Sequence, residues 1–128
     1  NLVFLSILDI DFFKKVNDTY GHDVGDKVLK QFVNVIQKSS RKDDLLIRWG
    51  GVEFLLLTKV KSIDNSKKVL ENIRNAISQA SFEGIKHITC SIGATNYKEN
   101  ENIEESFKRA DDALYEAKNN GRNQVRIK

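Results

Sequence analysis

Residues 2–8, LVFLSIL, are apolar but for one serine, and the run closes on Asp9. A stretch of this length without polar alternation predicts a strand buried on both faces. The pattern then changes to DFFKKVNDTYG, a short helix begun at Asp11 and stopped at Gly21. Val28, Phe32, Val35 and Ile36 keep helical spacing with charges on the other face, which predicts a second helix. DLLIRW and VEFLLL read as two strands joined across Gly50-Gly51, a hairpin signal. Val69, Ile73, Ile77 and Ala80 mark a third helix. HITCSIGAT is a strand in which Gly93 marks a bulge or a close approach. Ile103, Phe107, Ala110, Leu114 and Ala117 form one stripe of a last helix, with Gly121 at its end after Lys118 and Asn120. QVRI closes the chain as a short strand.

The predicted order is β-αα-β-β-α-β-α-β. Its first part is the βαββαβ pattern of an α+β, ferredoxin-like fold, a mainly antiparallel sheet flanked by helices. A right-handed crossover makes the first two strands parallel with room between them. The third strand, returning from the hairpin, fills that gap antiparallel to both. Asp9, at the end of the first strand, is therefore expected beside Gly51 to Glu53. Two distant stretches, LDID and WGGVE, converge on one sheet edge.

Composition narrows the classes without choosing among them. The chain has 128 residues, 40% hydrophobic and 30% charged, which suits one globular domain over residues 1–128. No apolar run approaches the ~18–20 residues that cross a membrane, so no membrane contact is expected. The chain starts at Asn1 and has no methionine, and is expected to be a piece of a longer protein. The single cysteine, Cys90, allows no internal disulfide and fits a reducing, cytoplasmic compartment. A net charge of +3 hints at anionic partners such as phosphates. The lysines are spread out, however, so no nucleic-acid polymer is expected. An RNA-binding sheet would need exposed strand aromatics, and DLLIRW and HITCSI offer only Trp49.

The converging edge has chemistry to offer. Asp9 supplies a carboxylate, and Ile10 a carbonyl oxygen, to a hard cation such as Mg²⁺. The amides near Phe12 and Phe13 open a helix and can hold phosphate oxygens. Gly50 and Gly51 remove side chains where a nucleotide could press on the backbone. The same residues also read as helix caps and a plain turn, and the pattern alone leaves both open.

DIDFFKKVNDTYGHDVGDKVL, RWGGVEF and RADDALYEAKNNGRN follow one another in this order. Together they make the chain, from about Asn1 to Ile127, resemble the GGDEF domains, the diguanylate cyclases. The resemblance implies a fold related to the palm domains of nucleotide cyclases and polymerases. It implies condensation of two GTP into cyclic di-GMP with release of pyrophosphate, Mg²⁺ as cofactor, and a homodimer around one product. It further implies an upstream sensor or receiver domain.

By the same resemblance Asp9 and the Ile10 carbonyl bind the metal, and Phe12 and Phe13 lend amides to the phosphates. Asn17 and Asp26 read the guanine edge, and Lys118 and Arg122 hold the terminal phosphates. As plain residues, Asn17 would be a helix C-cap, Asp26 a favourable charge at a helix start, and Lys118 and Arg122 charges favoured by a helix C-terminus.

The pattern breaks at one place. The family signature reads Gly-Gly-Asp/Glu-Glu-Phe, and Val52 stands where the resemblance implies a second metal-binding acid next to the attacking 3′-hydroxyl. Valine has no lone pair and no charge. Glu53 is the neighbouring candidate for catalysis, but strand alternation is expected to turn it to the opposite face from Val52. Weak or absent cyclase activity is thus expected, with an active cyclase that tolerates valine as the alternative. Arg41 and Asp44 in RKDD are spaced before the glycines like the family's inhibitory site for cyclic di-GMP. A charged loop between helix and strand would look the same. The usual D-x-L-T-G-L-x-N-R segment before the first strand is expected to be missing from this chain.

Overall fold

The computed structural model describes residues 1–82 and 84–128. Among these residues the order is β1 (Leu2–Ile10), α1 (Phe13–Tyr20), α2 (His22–Ser39), β2 (Leu45–Gly50), β3 (Glu53–Val60), α3 (Ile63–Gln79), β4 (Cys90–Tyr97), α4 (Ile103–Asn119) and β5 (Val125–Ile127). This is the mixed α+β order that the hydrophobic pattern predicts. The strands form one sheet in the order β2-β3-β1-β4-β5. β3 lies antiparallel between β2 and β1, and the β4–β5 pair is parallel.

β1 owes its central place to its burial. From Phe4 to Ile10 every residue is buried, because both faces of the strand are covered. On one face Leu5 and Ile7 pack with Leu55, Ala110 and Leu114 beneath α4. On the other, Phe4, Leu8 and Ile10 join the larger cluster with Phe32 and Ile36 of α2 and Leu70, Ile73 and Ile77 of α3. Alternation puts Asp9 on the α4 face with Leu5 and Ile7.

Polar side chains fix the helix ends. Ser62 caps α3 by accepting from the Asn65 amide at 3.0 Å, and Asn102 caps α4 by accepting from the Glu105 amide at 2.9 Å. Asn120 is the C-cap of α4, Gly121 takes φ +106°, and the Arg122 amide donates to the Ala117 carbonyl at 2.9 Å. That bond closes a Schellman-type turn, in which glycine accepts the left-handed conformation without a Cβ clash.

Gly93 is a close-approach point rather than a bulge. A Cβ there would lie 2.2 Å from the Leu114 amide nitrogen and 2.4 Å from the Ala110 carbonyl oxygen. Both atoms belong to the α4 backbone, which cannot yield as a side-chain tip can. Gly93→Ala is expected to destabilise the fold by roughly 3 kcal/mol, the upper end for overpacking. Urea unfolding checks it, and a loss under about 1 kcal/mol would show that α4 shifts freely.

Three local expectations are corrected. α1 begins at Phe13, not at Asp11, and its N-cap is Phe12 with φ +58° and no side-chain cap. Asp11 is drawn away because its carboxylate is bonded elsewhere. The hairpin loop is Gly51-Val52, since Gly50 still pairs with Glu53 across the ladder. Gly51 has φ +53°, the sign that two-residue hairpin loops demand of their first position. Ile103, counted in the buried stripe of α4, is 57% exposed. There it borders a small cavity shared with Trp49 of β2 and Phe107 instead of packing into the core.

Candidate functional site

The register of β1 and β3 brings the two stretches together: Asp9 stands directly opposite Glu53. At this edge lies a cleft of about 570 Å³. Its walls include Asp9, Ile10, Phe12, Phe13, Asn17, Asp26, Gly51, Val52, Lys118 and Arg122, which arrive from β1, α1, α2, the hairpin, α4 and the loop after α4. Gly50 is the strand residue just before this wall. A larger groove of about 880 Å³ between α3 and β5 contains none of these residues. The convergence of acids, bases and amides therefore directs attention to the smaller cleft.

Asp9 is the buried charge of the site, 6% exposed, and the Lys118 ammonium is bonded to its carboxylate. Burial pushes the Asp9 carboxyl above its ordinary range, while Lys118 pulls it back down. Glu53 is also pushed up, first by burial and then by the Asp9 and Asp111 charges. Opposed residues of a ladder share a face, so Glu53 lies on the same side of the sheet as Asp9. It shares Asp9's face but does not line the cleft, whose wall at the hairpin is Gly51 and Val52. Val52 is half-buried and packs on the larger core cluster.

The side of the cleft that holds Phe12 and Arg122 is built from strained backbone. Arg122 and Asn123 both have positive φ, 62° and 46°, as does Phe12 across from them. The Arg122 guanidinium sits 4.7 Å over the Phe12 ring, a cation–π contact. Asp11 ties this loop down: its carboxylate accepts from the Asn123 amide at 3.0 Å and from the Thr89 and Ser91 hydroxyls at 2.7 Å each. Sequence reading gave Asp11 only a helix start. Its two-residue spacing from Asp9 was the available signal, for it continues the face of β1 by one step.

Asn17 and Asp26 face the cleft from α1 and from the first turns of α2. Asn17 is not a C-cap, since α1 closes at Gly21, whose amide donates to the Asn17 carbonyl at 2.8 Å. Sequence reading missed Arg48, which lines the cleft and donates from Nε at 3.1 Å and Nη2 at 2.7 Å to the Gly51 carbonyl. A cation two residues before a glycine pair was the clue. His22 is exposed at the start of α2 and lies outside the cleft.

Arg41 and Asp44 lie in the loop before β2, outside the cleft. The Arg41 amide donates to Asp44 Oδ2 at 2.8 Å, and its guanidinium reaches Asp44 Oδ1 at 3.2 Å and also the Lys59 carbonyl. The Arg41 side chain is 53% exposed, whereas that of Asp44 is 1% exposed.

The donor set suits a hard divalent cation that arrives with a phosphate ligand. Among the described residues no group of three or more His, Cys, Asp or Glu side chains is placed to hold a metal ion. Asp9 brings one carboxylate to the cleft wall, and Mg²⁺ commonly takes only one or two carboxylates beside substrate phosphates.

Known proteins resemble this chain in sequence and in fold. The family described as diguanylate cyclase, GGDEF domain, matches residues 1–124. Diguanylate cyclase DgcM of Escherichia coli K12 is 46% identical over 121 residues, 94% of this chain and 30% of that protein. Response regulator PleD of Caulobacter vibrioides is 38% identical over 125 residues, 93% of this chain and 28% of that protein. The chain thus spans under a third of these curated relatives. Among solved structures, diguanylate cyclase SiaD of Pseudomonas aeruginosa superposes with a TM-score of 0.93 at 37% identity, covering 99% of this chain and 50% of that one. The GGDEF domain of DgcB from Caulobacter crescentus, solved with c-di-GMP, gives 0.90 at 33%, covering 98% and 77%.

Proposed function

Because the chain belongs to the GGDEF domain family, we propose that its cleft binds GTP and that Val52 leaves it with weak or no diguanylate cyclase activity. The observation that carries this reading is the hairpin wall. Where the cleft approaches Asp9, the side chain is a half-buried valine packed on the core.

The other groups suit a guanine nucleotide. Asp26 can accept from the guanine N1–H and N2–H₂, and the Asn17 carboxamide can donate to or accept from the same base. Lys118 and Arg122 offer cations to the terminal phosphates. Asp9 and the Ile10 carbonyl would hold Mg²⁺ together with those phosphates. The cation would supply charge neutralisation and activation of a hydroxyl at neutral pH. In the full reaction the 3′-hydroxyl of each GTP attacks the α-phosphorus of the other. Two new phosphodiester bonds form and two pyrophosphates leave. Two domains must face each other for this, each with one nucleotide. Without an acid at position 52, Asp9 would hold the cation with fewer ligands and less control over the hydroxyl.

One observation favours the alternative, an active cyclase. Glu53 stands opposite Asp9 on the same face and offers a second carboxylate nearby. The test is incubation with GTP and Mg²⁺ and an assay for cyclic di-GMP. Turnover near ~1 s⁻¹, the low end for ordinary enzymes, would favour the alternative and sink the impaired reading.

Cyclic di-GMP is the second proposed ligand, at Arg41 and Asp44. The exposed guanidinium can turn from the Lys59 carbonyl to a phosphate or guanine edge in a bidentate fork. Arg41→Ala is expected to weaken cyclic di-GMP binding about tenfold, on the order of one charge-assisted hydrogen bond. GTP binding should be unchanged. Titration calorimetry with each nucleotide on one sample reads both numbers, and an unchanged cyclic di-GMP affinity would remove the loop from the proposal.

A further inference from the structure

Gly25 lies in the first turns of α2 and is buried, yet its backbone needs no glycine. Its φ is not positive, its amide donates to the Gly21 carbonyl at 3.1 Å, and alanine is the better helix former. What the position lacks is room. A Cβ there would lie 1.9 Å from Asn17 Oδ1 and 3.0 Å from Asn17 Cγ, with the tip of the Phe13 ring at 3.3 Å. The atom in the way is the free end of a flexible side chain, not backbone. The fold can therefore accept a methyl group at position 25 by swinging the Asn17 carboxamide aside.

That carboxamide is one of the two groups assigned above to the base. From this we infer that Gly25 is a positioning residue for guanine recognition: its missing side chain is the slot in which the Asn17 carboxamide lies. The inference rests on the reading of the cleft as a GTP site. Asn17 is on α1 and Asp26 follows Gly25 on α2, so the slot sets how closely the amide can approach the helix that carries the carboxylate. Two hydrogen-bonding groups on separate helices select a base only if their spacing matches its edge. A methyl group at position 25 changes that spacing while leaving Asp9, Lys118 and Arg122 untouched.

The test separates base from phosphate. GTP and inorganic tripolyphosphate are titrated by calorimetry, with Mg²⁺, into the unaltered chain, Gly25→Ala, Asn17→Ala and the double variant. Gly25→Ala is expected to weaken GTP binding about tenfold, the worth of one ordinary hydrogen bond, and to leave tripolyphosphate binding unchanged. Asn17→Ala should do the same, and Gly25→Ala should add nothing in its background, as for two changes acting through one group. If Gly25→Ala alone folds poorly, the double variant, which removes the obstructing carboxamide, is expected to fold. Failure of both overturns the inference. If Asn17→Ala weakens GTP and Gly25→Ala does not, the inference fails while the base site stands. Equal loss of GTP and tripolyphosphate in Gly25→Ala also overturns it, because the damage is then general. If the unaltered chain prefers GTP over tripolyphosphate no better than Asn17→Ala does, the base-site reading fails first and the inference with it.

Discussion

Val52→Asp is expected to raise cyclic di-GMP formation by about 100-fold or more, the usual scale for restoring one electrostatic group at a reacting centre. The reason lies in what Asp9 now holds. Its carboxylate is buried and bonded to the Lys118 ammonium, so a divalent cation must compete with an internal one. A single carboxylate wins that contest poorly. A second acid on the hairpin wall would double the negative charge facing the cation and leave Lys118 free for phosphate. The cost to the fold is small, since Val52 is only half-buried, and loss of its packing is worth about 1 kcal/mol. Product formation from GTP and Mg²⁺ is measured beside thermal melting. Asp9→Ala placed on top of Val52→Asp should return the rate to background. A folded Val52→Asp variant with unchanged turnover would mean that the hairpin acid is not what the site lacks.

The place of β3 between β1 and β2 was readable because burial on both faces leaves a mark that periodicity cannot blur. β1 is apolar but for Ser6 and Asp9 and buried from Phe4 to Ile10, and only a central strand needs that. The convergence of LDID with WGGVE followed from chirality and strand order before any contact was visible. Side-chain direction at the edge was harder. The alternation rule turned Glu53 away from Val52, and it is right for neighbours within a strand. But Val52 belongs to the loop, and the ladder sets Glu53 opposite Asp9. Trp49 adds to this, because the register of β2 against β3 shifts between Arg48 and Gly50. Ile103 shows a different limit. The spacing on α4 identifies its apolar face, but not how far the sheet extends beneath it. Gly25 shows a third: a glycine's reason can be the neighbour it spares, here Asn17, eight positions away on another helix.

Asp11→Ala is expected to cost about 4 kcal/mol, from three donors losing a buried acceptor at roughly 1–3 kcal/mol each. The number decides between two accounts of the residue. As a helix cap, Asp11 would be worth about 1 kcal/mol. As the structure has it, Asp11 is 5% exposed and joins three segments distant in the chain. It accepts from Thr89 before β4, Ser91 in β4 and Asn123 after α4, and its own amide donates to the Thr89 carbonyl at 2.9 Å. The Asn123 bond holds a backbone that resists being held. Arg122 and Asn123 are left-handed without being glycine, at about 1 kcal/mol or more each, and such residues persist only where their surroundings over-determine them. Freed from Asp11, the loop should relax and carry Arg122 off the Phe12 ring. Two readouts should therefore move together: the urea midpoint, and the affinity for inorganic tripolyphosphate, which under the proposed function depends on where Arg122 points. Asp11→Asn should lose less, because one amide oxygen still accepts and both hydroxyls can turn to meet its N–H₂. A drop near 1 kcal/mol in Asp11→Ala, with tripolyphosphate binding intact, would return the residue to the role of a cap. The fall expected here instead makes it the anchor by which the end of β1 fixes the Arg122 side of the cleft.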